Sequence, residues 1–192
     1  MKFPPFILAS KSPRRQFLLK EAGFDFSLRT KEIDESFPEE LQKEQVALFL
    51  ASKKSEAFEL SPGEILVTAD TIVCLDEEVI NKPDDGEHAR QMLRKLSGRV
   101  HDVFTGVSIR EGNRKHVFYD QTRVFFHELS DEEIDYYIKK HQPFDKAGAY
   151  GVQEWLGYIA VYRIEGCFYN VMGFPLAKFY GEFKEFCSGR ES

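Results

Sequence analysis

The stretch Ser12-Pro13-Arg14-Arg15 places two guanidinium groups directly after an apolar run, residues 6–10, that predicts a short buried strand. Ser12 is a favourable N-cap and Pro13 suits the first helical position, so a helix is predicted to begin here. Arginines in a first turn oppose the helix dipole, which is already positive at that end. An anionic partner is therefore expected. It is either a phosphate, which helix N-termini and guanidinium groups both bind, or an acidic side chain from elsewhere in the chain. Ser12 itself is interpreted as a cap or a phosphate ligand.

A single carboxylate, Asp70, lies inside the β-branched apolar run ILVTADTIVCL, which predicts a buried strand. Burying a lone carboxylate is unfavourable, so Asp70 should pair with a cation, bind a metal or face a cleft at a strand end. The alternative is that it caps the following turn. Lys82, in INKPDDG, follows on the predicted return strand and either lies in solvent or faces the same cleft as Asp70.

The acidic turn EIDES supplies Asp34 and Glu35, and such turns are usually solvated surface. A hard cation such as Mg²⁺, however, needs only one or two carboxylates and takes water and substrate phosphates at its other positions. The spacing leaves both interpretations of Glu35 open. An amphipathic helix is predicted from Glu39 to about residue 60, with Lys53 or Lys54 on its inner face.

The segment DKAGAYGVQ is a predicted loop that carries Lys146, Tyr150 and Gln153. Its glycines permit close approach of the backbone to a ligand, and the amide of Gln153 offers a base edge both a donor and an acceptor. Ordinary loops also contain these residue types, so the segment alone indicates a binding loop only weakly.

Composition excludes several classes of function. The chain has 192 residues, 42% of them hydrophobic, and a net charge of -6, which argues against a nucleic-acid surface. Three cysteines without a C-x-x-C pair suggest neither disulfides nor a thiolate metal site. The five histidines and the serines match no zinc-protease, α/β-hydrolase or P-loop motif. No signal peptide or membrane span is predicted, so we expect a cytoplasmic protein without membrane partners.

Strands and helices alternate along the chain, which predicts an α/β fold. A capping box at Ser130 and Glu133 begins one helix, residues 158–166 (YIAVYRIEG) are predicted as a strand, and PLAKFYGEFKEF is predicted as the final helix. Residues 1–192 are expected to form a single domain. If the domain has two lobes, the second is expected to begin near Pro143.

Arginines, lysines and an embedded carboxylate in one cleft suit the hydrolysis of a phosphoanhydride. In that chemistry cations hold the phosphate chain, a carboxylate-bound metal stabilises developing charge, and a carboxylate orients or deprotonates water.

Five motifs, in order and over nearly the whole chain, resemble the Maf family of nucleoside triphosphate pyrophosphatases. They are LASKSPRRQFLL, VTADTIV, INKPDD, QMLRKLSGRVHDVFTGV and DKAGAYGVQ. The resemblance implies hydrolysis of a nucleoside triphosphate to the monophosphate and pyrophosphate with a divalent metal, Mg²⁺ or Mn²⁺. It also implies an elongated mixed sheet with flanking helices and two lobes around a central cleft, similar to inosine triphosphate pyrophosphatases. A homodimer is left open.

The resemblance also implies roles for individual residues. Arg14, Thr71 and Gln153 match the subgroup that acts on dTTP and UTP, and modified pyrimidine nucleotides are a further expectation. The alternatives are a 7-methyl-GTP pyrophosphatase and a regulatory protein of septum formation. By motif, Asp70 is the proton acceptor and Glu35 lies with it near the metal. The phosphate path would be lined by Ser12, Arg15, Lys54, Lys82 and Lys146. Glu154 and Trp155 depart from the family pattern, in which glycine follows Gln153; this pair either narrows the base pocket or repacks the loop.

Overall fold

The computed structural model describes residues 3–189 and contains a mixed sheet of seven strands. The strands are β1 (Phe6–Leu8), β2 (Phe26–Leu28), β3 (Ile65–Leu75), β4 (Glu78–Ile80), β5 (Val100–Glu111), β6 (Arg114–Phe126) and β7 (Val161–Glu165). Their order is β2-β1-β3-β5-β6-β7, and β4 pairs with β3. Strand β1 is parallel to β2 and β3, whereas β4 and β7 are antiparallel to β3 and β6. The predicted mixed α/β sheet with flanking helices is confirmed.

Seven α-helices lie in the described residues. They are α1 (Pro13–Glu21), α2 (Glu44–Glu56), α3 (Gly86–Leu96), α4 (Asp131–His141), α5 (Trp155–Ala160), α6 (Phe168–Val171) and α7 (Leu176–Ser188). The predicted caps are confirmed: Ser12 Oγ accepts the backbone N–H of Arg15 at 3.5 Å, and Ser130 and Glu133 form a capping box on α4. Among residues 3–189, no helix is both long enough and apolar enough to cross a membrane.

The chain forms two compact units, each made of separate segments. The first contains the described residues through Asp70, Thr105–Asp120 and the described residues from Gly173 onward; the second contains Thr71–Phe104 and Gln121–Met172. The boundary expected near Pro143 is therefore wrong. Strands β3, β5 and β6 each contribute residues to both units, so the division falls within strands rather than in a linker.

The core of the first unit contains a cluster of phenylalanines that fixes α7 against β1. Phe6 and Phe183 lie 5.2 Å apart between ring centroids, and Phe24 and Phe179 are also 5.2 Å apart, in edge-to-face arrangements that aromatic pairs favour. Helix α2 approaches β5 at Gly106, where a Cβ atom would lie only 2.2 Å from the carbonyl oxygen of Ala47.

The core of the second unit contains a buried polar contact among aromatic rings. His101 Nε2 lies 2.8 Å from the hydroxyl of Tyr150, and both rings pack edge-on against Phe126 at 4.9 Å. Desolvation by burial lowers the pKa of His101 to about 3, so its imidazole is neutral at physiological pH.

The predicted strand over residues 158–166 is partly wrong, because residues 158–160 belong to helix α5 and only Val161–Glu165 form β7. The reason is a backbone contact: a Cβ on Gly157 would lie 2.0 Å from the carbonyl oxygen of Val152, so α5 packs against the loop before it. One further boundary also differs: α2 begins at Glu44 rather than Glu39.

Candidate active site

A lysine lies between two carboxylates in the first unit. The ammonium of Lys54 contacts Asp70 Oδ1 at 2.5 Å and Glu35 Oε1 at 2.6 Å. The side chains of Asp70 and Lys54 are only 9% and 14% exposed, whereas that of Glu35 is 43% exposed. The buried strand carboxylate predicted from sequence therefore has its cation, and Lys54 rather than Lys53 lies on the inner face of α2.

Strand β3 and helix α2 are held together immediately beside this contact. The hydroxyl of Thr68 donates to the backbone carbonyl of Ala51 at 2.6 Å, two residues before Asp70 on one element and three before Lys54 on the other. The missing side chain of Gly106 lets α2 approach the sheet closely. Local backbone packing thus sets the distance between the ammonium and the carboxylate.

The loop that carries Glu35 is held by the neighbouring lysine of the same helix. Lys53 Nζ donates to Asp34 Oδ2 at 3.0 Å and to the carbonyl of Ser36 at 2.8 Å. Hydrogen bonds from Ser36, followed by that from Lys53, lower the pKa of Asp34 to about 2. Successive lysines on the last turn of α2 therefore hold the two acidic residues of the turn, Asp34 and Glu35.

Arg15 is bound by backbone carbonyls next to Asp70. Its Nε donates to the carbonyl of Gly173 and its Nη1 to the carbonyl of Ala69, both at 2.7 Å. Burial lowers the pKa of its guanidinium, and attraction to Asp70 opposes that shift. Arg14, in the same helical turn, is half-buried. Carbonyl acceptors therefore balance the positive charge of Arg15 at the helix start, in addition to its attraction to Asp70.

The donor set of Glu35 and Asp70 fits a hard divalent cation. One ammonium reaches both carboxylates, so a single cation can contact both groups. Within residues 3–189 no cluster of three or more His, Cys, Asp or Glu side chains is placed to hold a metal. Two carboxylates nevertheless meet the requirement of Mg²⁺, which commonly completes its coordination with water and substrate phosphates.

The second unit carries the other four predicted site residues. Thr71 follows Asp70 on β3 and is half-buried, and Lys82 is exposed just after β4. The backbone N–H of Gly148 donates to the carbonyl of Asn81 at 3.1 Å, so the end of β4 is joined to the loop that carries Lys146. At φ +70°, Gly148 adopts a left-handed conformation that glycine favours, in close contact with Val73.

Lys146 and the amide oxygen of Gln153 are buried in the second unit. Lys146 is 8% exposed, and its ammonium contacts Asp145 Oδ1 at 2.7 Å and Glu154 Oε1 at 3.2 Å. Gln153 Oε1 is buried and has no hydrogen-bond partner among residues 3–189. The sequence left open whether Glu154 and Trp155 narrow the base pocket or repack the loop. In the structure Glu154 contacts Lys146, and the ring of Trp155 packs on that of Tyr136 at 4.7 Å between centroids.

Two residues with structural contacts to this loop were missed from sequence. Tyr137 donates its hydroxyl to Glu154 and accepts the N–H of Gly151 at 3.0 Å, and His101 contacts Tyr150. The helical periodicity of α4 marks Tyr137 only as a core residue. His101 lies in a quoted motif but gives no sign of its contact, because its partner is far away in sequence.

Comparison with known proteins supplies the family. Residues 5–186 match the family model described as Maf-like protein. A dTTP/UTP pyrophosphatase of Bacteroides thetaiotaomicron is 50% identical over 182 residues, covering 93% of this chain and 94% of the relative. One of Cytophaga hutchinsonii is 48% identical over 180 residues, covering 93% of this chain and 83% of that protein. The solved structure of a HAM1 protein from Coxiella burnetii has a TM-score of 0.49 at 14% identity, covering 96% of this chain and all of that one (100%).

Proposed function

Because this chain belongs to the Maf-like protein family, we propose that it hydrolyses dTTP and UTP to the nucleoside monophosphate and pyrophosphate. Two relatives whose sequences are 48% and 50% identical to this chain are named dTTP/UTP pyrophosphatase. The structural observation that carries the proposal is the bridge that Lys54 makes between Glu35 and Asp70, with Arg15 bound just behind Asp70. Cations beside a largely buried carboxylate suit phosphoanhydride hydrolysis.

Asp70 is the proposed proton acceptor. Its carboxylate would take a proton from the attacking water while the bond to the pyrophosphate leaving group breaks. The ammonium of Lys54 lies 2.5 Å from Oδ1 of this carboxylate, and the guanidinium of Arg15 is bound to the carbonyl of the preceding residue, Ala69. General-base assistance by a positioned group typically contributes a factor of about 10²–10⁴ to the rate.

Glu35 and Asp70 are the proposed ligands of a Mg²⁺ or Mn²⁺ ion. Such an ion, when bound, would neutralise charge on the phosphate oxygens. Ser12, at the N-terminus of α1, Arg15 and Lys54 are the proposed phosphate-binding residues of the first unit, and Lys82 and Lys146 are those of the second.

Arg14, Thr71 and Gln153 are the proposed base-selecting residues. The Oε1 of Gln153, which has no hydrogen-bond partner among residues 3–189, supports this role, because an amide oxygen accepts hydrogen bonds. Thymine and uracil present an imide N–H donor, whereas cytosine presents an acceptor at the same ring position. An accepting group at Gln153 would therefore favour dTTP and UTP over CTP.

The test is pyrophosphate release from a nucleotide panel with Mg²⁺ or Mn²⁺. We expect turnover of dTTP and UTP that exceeds turnover of CTP and 7-methyl-GTP. The matched variant Asp70→Asn should abolish turnover and keep the wild-type far-UV circular dichroism spectrum. Absence of turnover by the wild-type protein with either metal would overturn the proposed activity and favour a regulatory or binding role. A preference for 7-methyl-GTP would overturn the proposed substrate, and near wild-type rates in Asp70→Asn would overturn the role of Asp70.

A further inference from the structure

The residue after the proposed base-reading glutamine forms part of a buried network in the second unit. Glu154 Oε1 lies 3.2 Å from the ammonium of Lys146, and Glu154 Oε2 accepts a hydrogen bond from the hydroxyl of Tyr137. Tyr137 is fully buried, and its hydroxyl oxygen also accepts the backbone N–H of Gly151 at 3.0 Å. We propose that Glu154 is the positioning residue that orients Lys146 toward the triphosphate, an inference that rests on the proposed function.

The backbone places the Glu154 carboxylate against the loop. The N–H of Glu154 donates to the carbonyl of Gly151 at 3.0 Å, and the carbonyl of Glu154 accepts from the N–H of Tyr158 in the first turn of α5. A Cβ atom on Gly151 would lie 2.8 Å from Glu154 Cδ. The absence of a side chain at position 151 therefore gives the carboxylate the space in which it reaches both Lys146 and Tyr137.

Exposure separates the two acidic partners of Lys146. The side chain of Asp145 is 57% exposed, whereas that of Glu154 is 20% exposed and that of Lys146 is 9% exposed. Water and salt screen an exposed ion pair strongly and a buried one much less. Although Asp145 is nearer, at 2.7 Å, Glu154 is the partner that holds the buried ammonium.

Tyr137 fixes the other oxygen of the same carboxylate. Burial, followed by the hydrogen bond to Glu154, raises the pKa of Tyr137 far above its usual range, so the hydroxyl remains a donor at any working pH. One carboxylate oxygen is thus committed to Tyr137 and the other to Lys146. Because both of its oxygens are engaged, the carboxylate of Glu154 limits the positions that the ammonium of Lys146 can take.

The change Glu154→Gln keeps the size of the side chain and removes its charge, and Asp145→Asn is the matched control on the more exposed partner. We expect Glu154→Gln to raise the KM for dTTP about tenfold and to leave kcat within about twofold of wild type. The reason is that the misplaced ammonium of Lys146 would weaken binding of the triphosphate rather than the chemical step. Asp145→Asn should change KM less than about twofold. Equal effects of the two substitutions on KM would overturn the assignment.

A double-mutant cycle separates positioning from general structural damage. In the Lys146→Met background, Glu154→Gln should raise KM no further, since the group that it positions is gone. A further tenfold rise in that background would show a role independent of Lys146 and overturn the proposal. Tyr137→Phe, which leaves the Lys146 contact in place, provides a second test if Glu154→Gln does not fold. It should raise KM in the same direction by less, and an unchanged KM would count against the network.

Unfolding of the same four proteins of the cycle in urea, without nucleotide, tests the contact itself. Coupling between positions 146 and 154 in the free energy of unfolding is expected, and no coupling would overturn the inference. A wild-type protein that hydrolyses no nucleotide would overturn the proposed function. An active wild type whose Glu154→Gln variant has wild-type kinetics would overturn only the positioning role of Glu154.

Discussion

The substitution Gly106→Ala should destabilise the protein more than any ordinary surface change, because it inserts a methyl group between β5 and α2. The added Cβ would lie 2.2 Å from the carbonyl oxygen and 2.4 Å from the carbonyl carbon of Ala47. Both atoms belong to helix backbone, so no side-chain rotation can relieve the overlap. Restoring ordinary van der Waals contact requires α2 to move away from the sheet by roughly 1 Å.

The magnitude follows from what α2 buries. Val46, Ala47, Leu50 and Ala51 are all buried against the unit's core. A gap of up to about 1 Å forfeits a quarter to a half of the dispersion energy at each separated contact. Overpacking of this kind typically costs about 1–3 kcal/mol, and a clash with backbone belongs at the upper end. We therefore expect a loss of about 3 kcal/mol in the free energy of unfolding.

The matched control is the same chemical change in open space. Gly181 lies in the middle of α7, and in the part of the chain that the structure describes its added Cβ would meet nothing within 4 Å apart from its chain neighbours and its own helix backbone. Because alanine favours a helix over glycine, Gly181→Ala should raise the free energy of unfolding by up to about 1 kcal/mol. Urea unfolding followed by far-UV circular dichroism measures both variants. A Gly106→Ala protein within about 0.5 kcal/mol of wild type would refute the packing argument.

The same variant tests how the site is built. Helix α2 carries Lys54, and the Thr68 hydrogen bond to Ala51 fixes its position beside Asp70. Retreat of the helix should lengthen the contact between Lys54 and Asp70, so kcat/KM for dTTP should fall in the folded variant. Wild-type kcat/KM together with the expected loss of stability would show that the contact does not depend on this packing.

The remaining predictions concern base selection and pH. Arg14→Ala and Gln153→Ala should change the ratio of kcat/KM among dTTP, UTP and CTP more than their common value; equal losses on every nucleotide would contradict a base-selecting role. For His101, the folded pKa of about 3 lies below the unfolded value of 6.5, so its stabilising effect is present above about pH 6.5 and declines as pH falls. The loss at pH 5 is about 2 kcal/mol. In His101→Gln the unfolding free energy should therefore fall by about 2 kcal/mol less than in wild type between pH 7 and pH 5. Urea titrations of both proteins at the two pH values measure this difference.

Local signals predicted the elements that depend on local interactions. Ser12 and Pro13 begin α1, the Ser130 capping box begins α4, and the apolar run around Asp70 coincides with β3. Each of these features rests on residues a few positions apart, or on continuous burial that an apolar run reports directly.

The errors occur where distant or backbone contacts override local preference. Tyr158 and Ile159 are residue types that favour strands. In the structure, however, they belong to helix α5, whose Gly157 lies close against the backbone carbonyl of Val152. The choice between Lys53 and Lys54 likewise depends on the exact rotation of α2 against β3. That rotation is fixed partly by the close approach of α2 to β5 at Gly106, which sequence periodicity does not reveal.

The acidic net charge and the several cations of the proposed site are consistent because each largely buried site lysine carries its own counter-charges. Lys54 contacts two carboxylates in the first unit, and Lys146 contacts Asp145 and Glu154 in the second. A buried ammonium without such partners would lower the stability of the fold by several kcal/mol. The acidic residues beside these lysines therefore do not argue against an anionic ligand. They are what allows nearly buried cations to be kept in the protein.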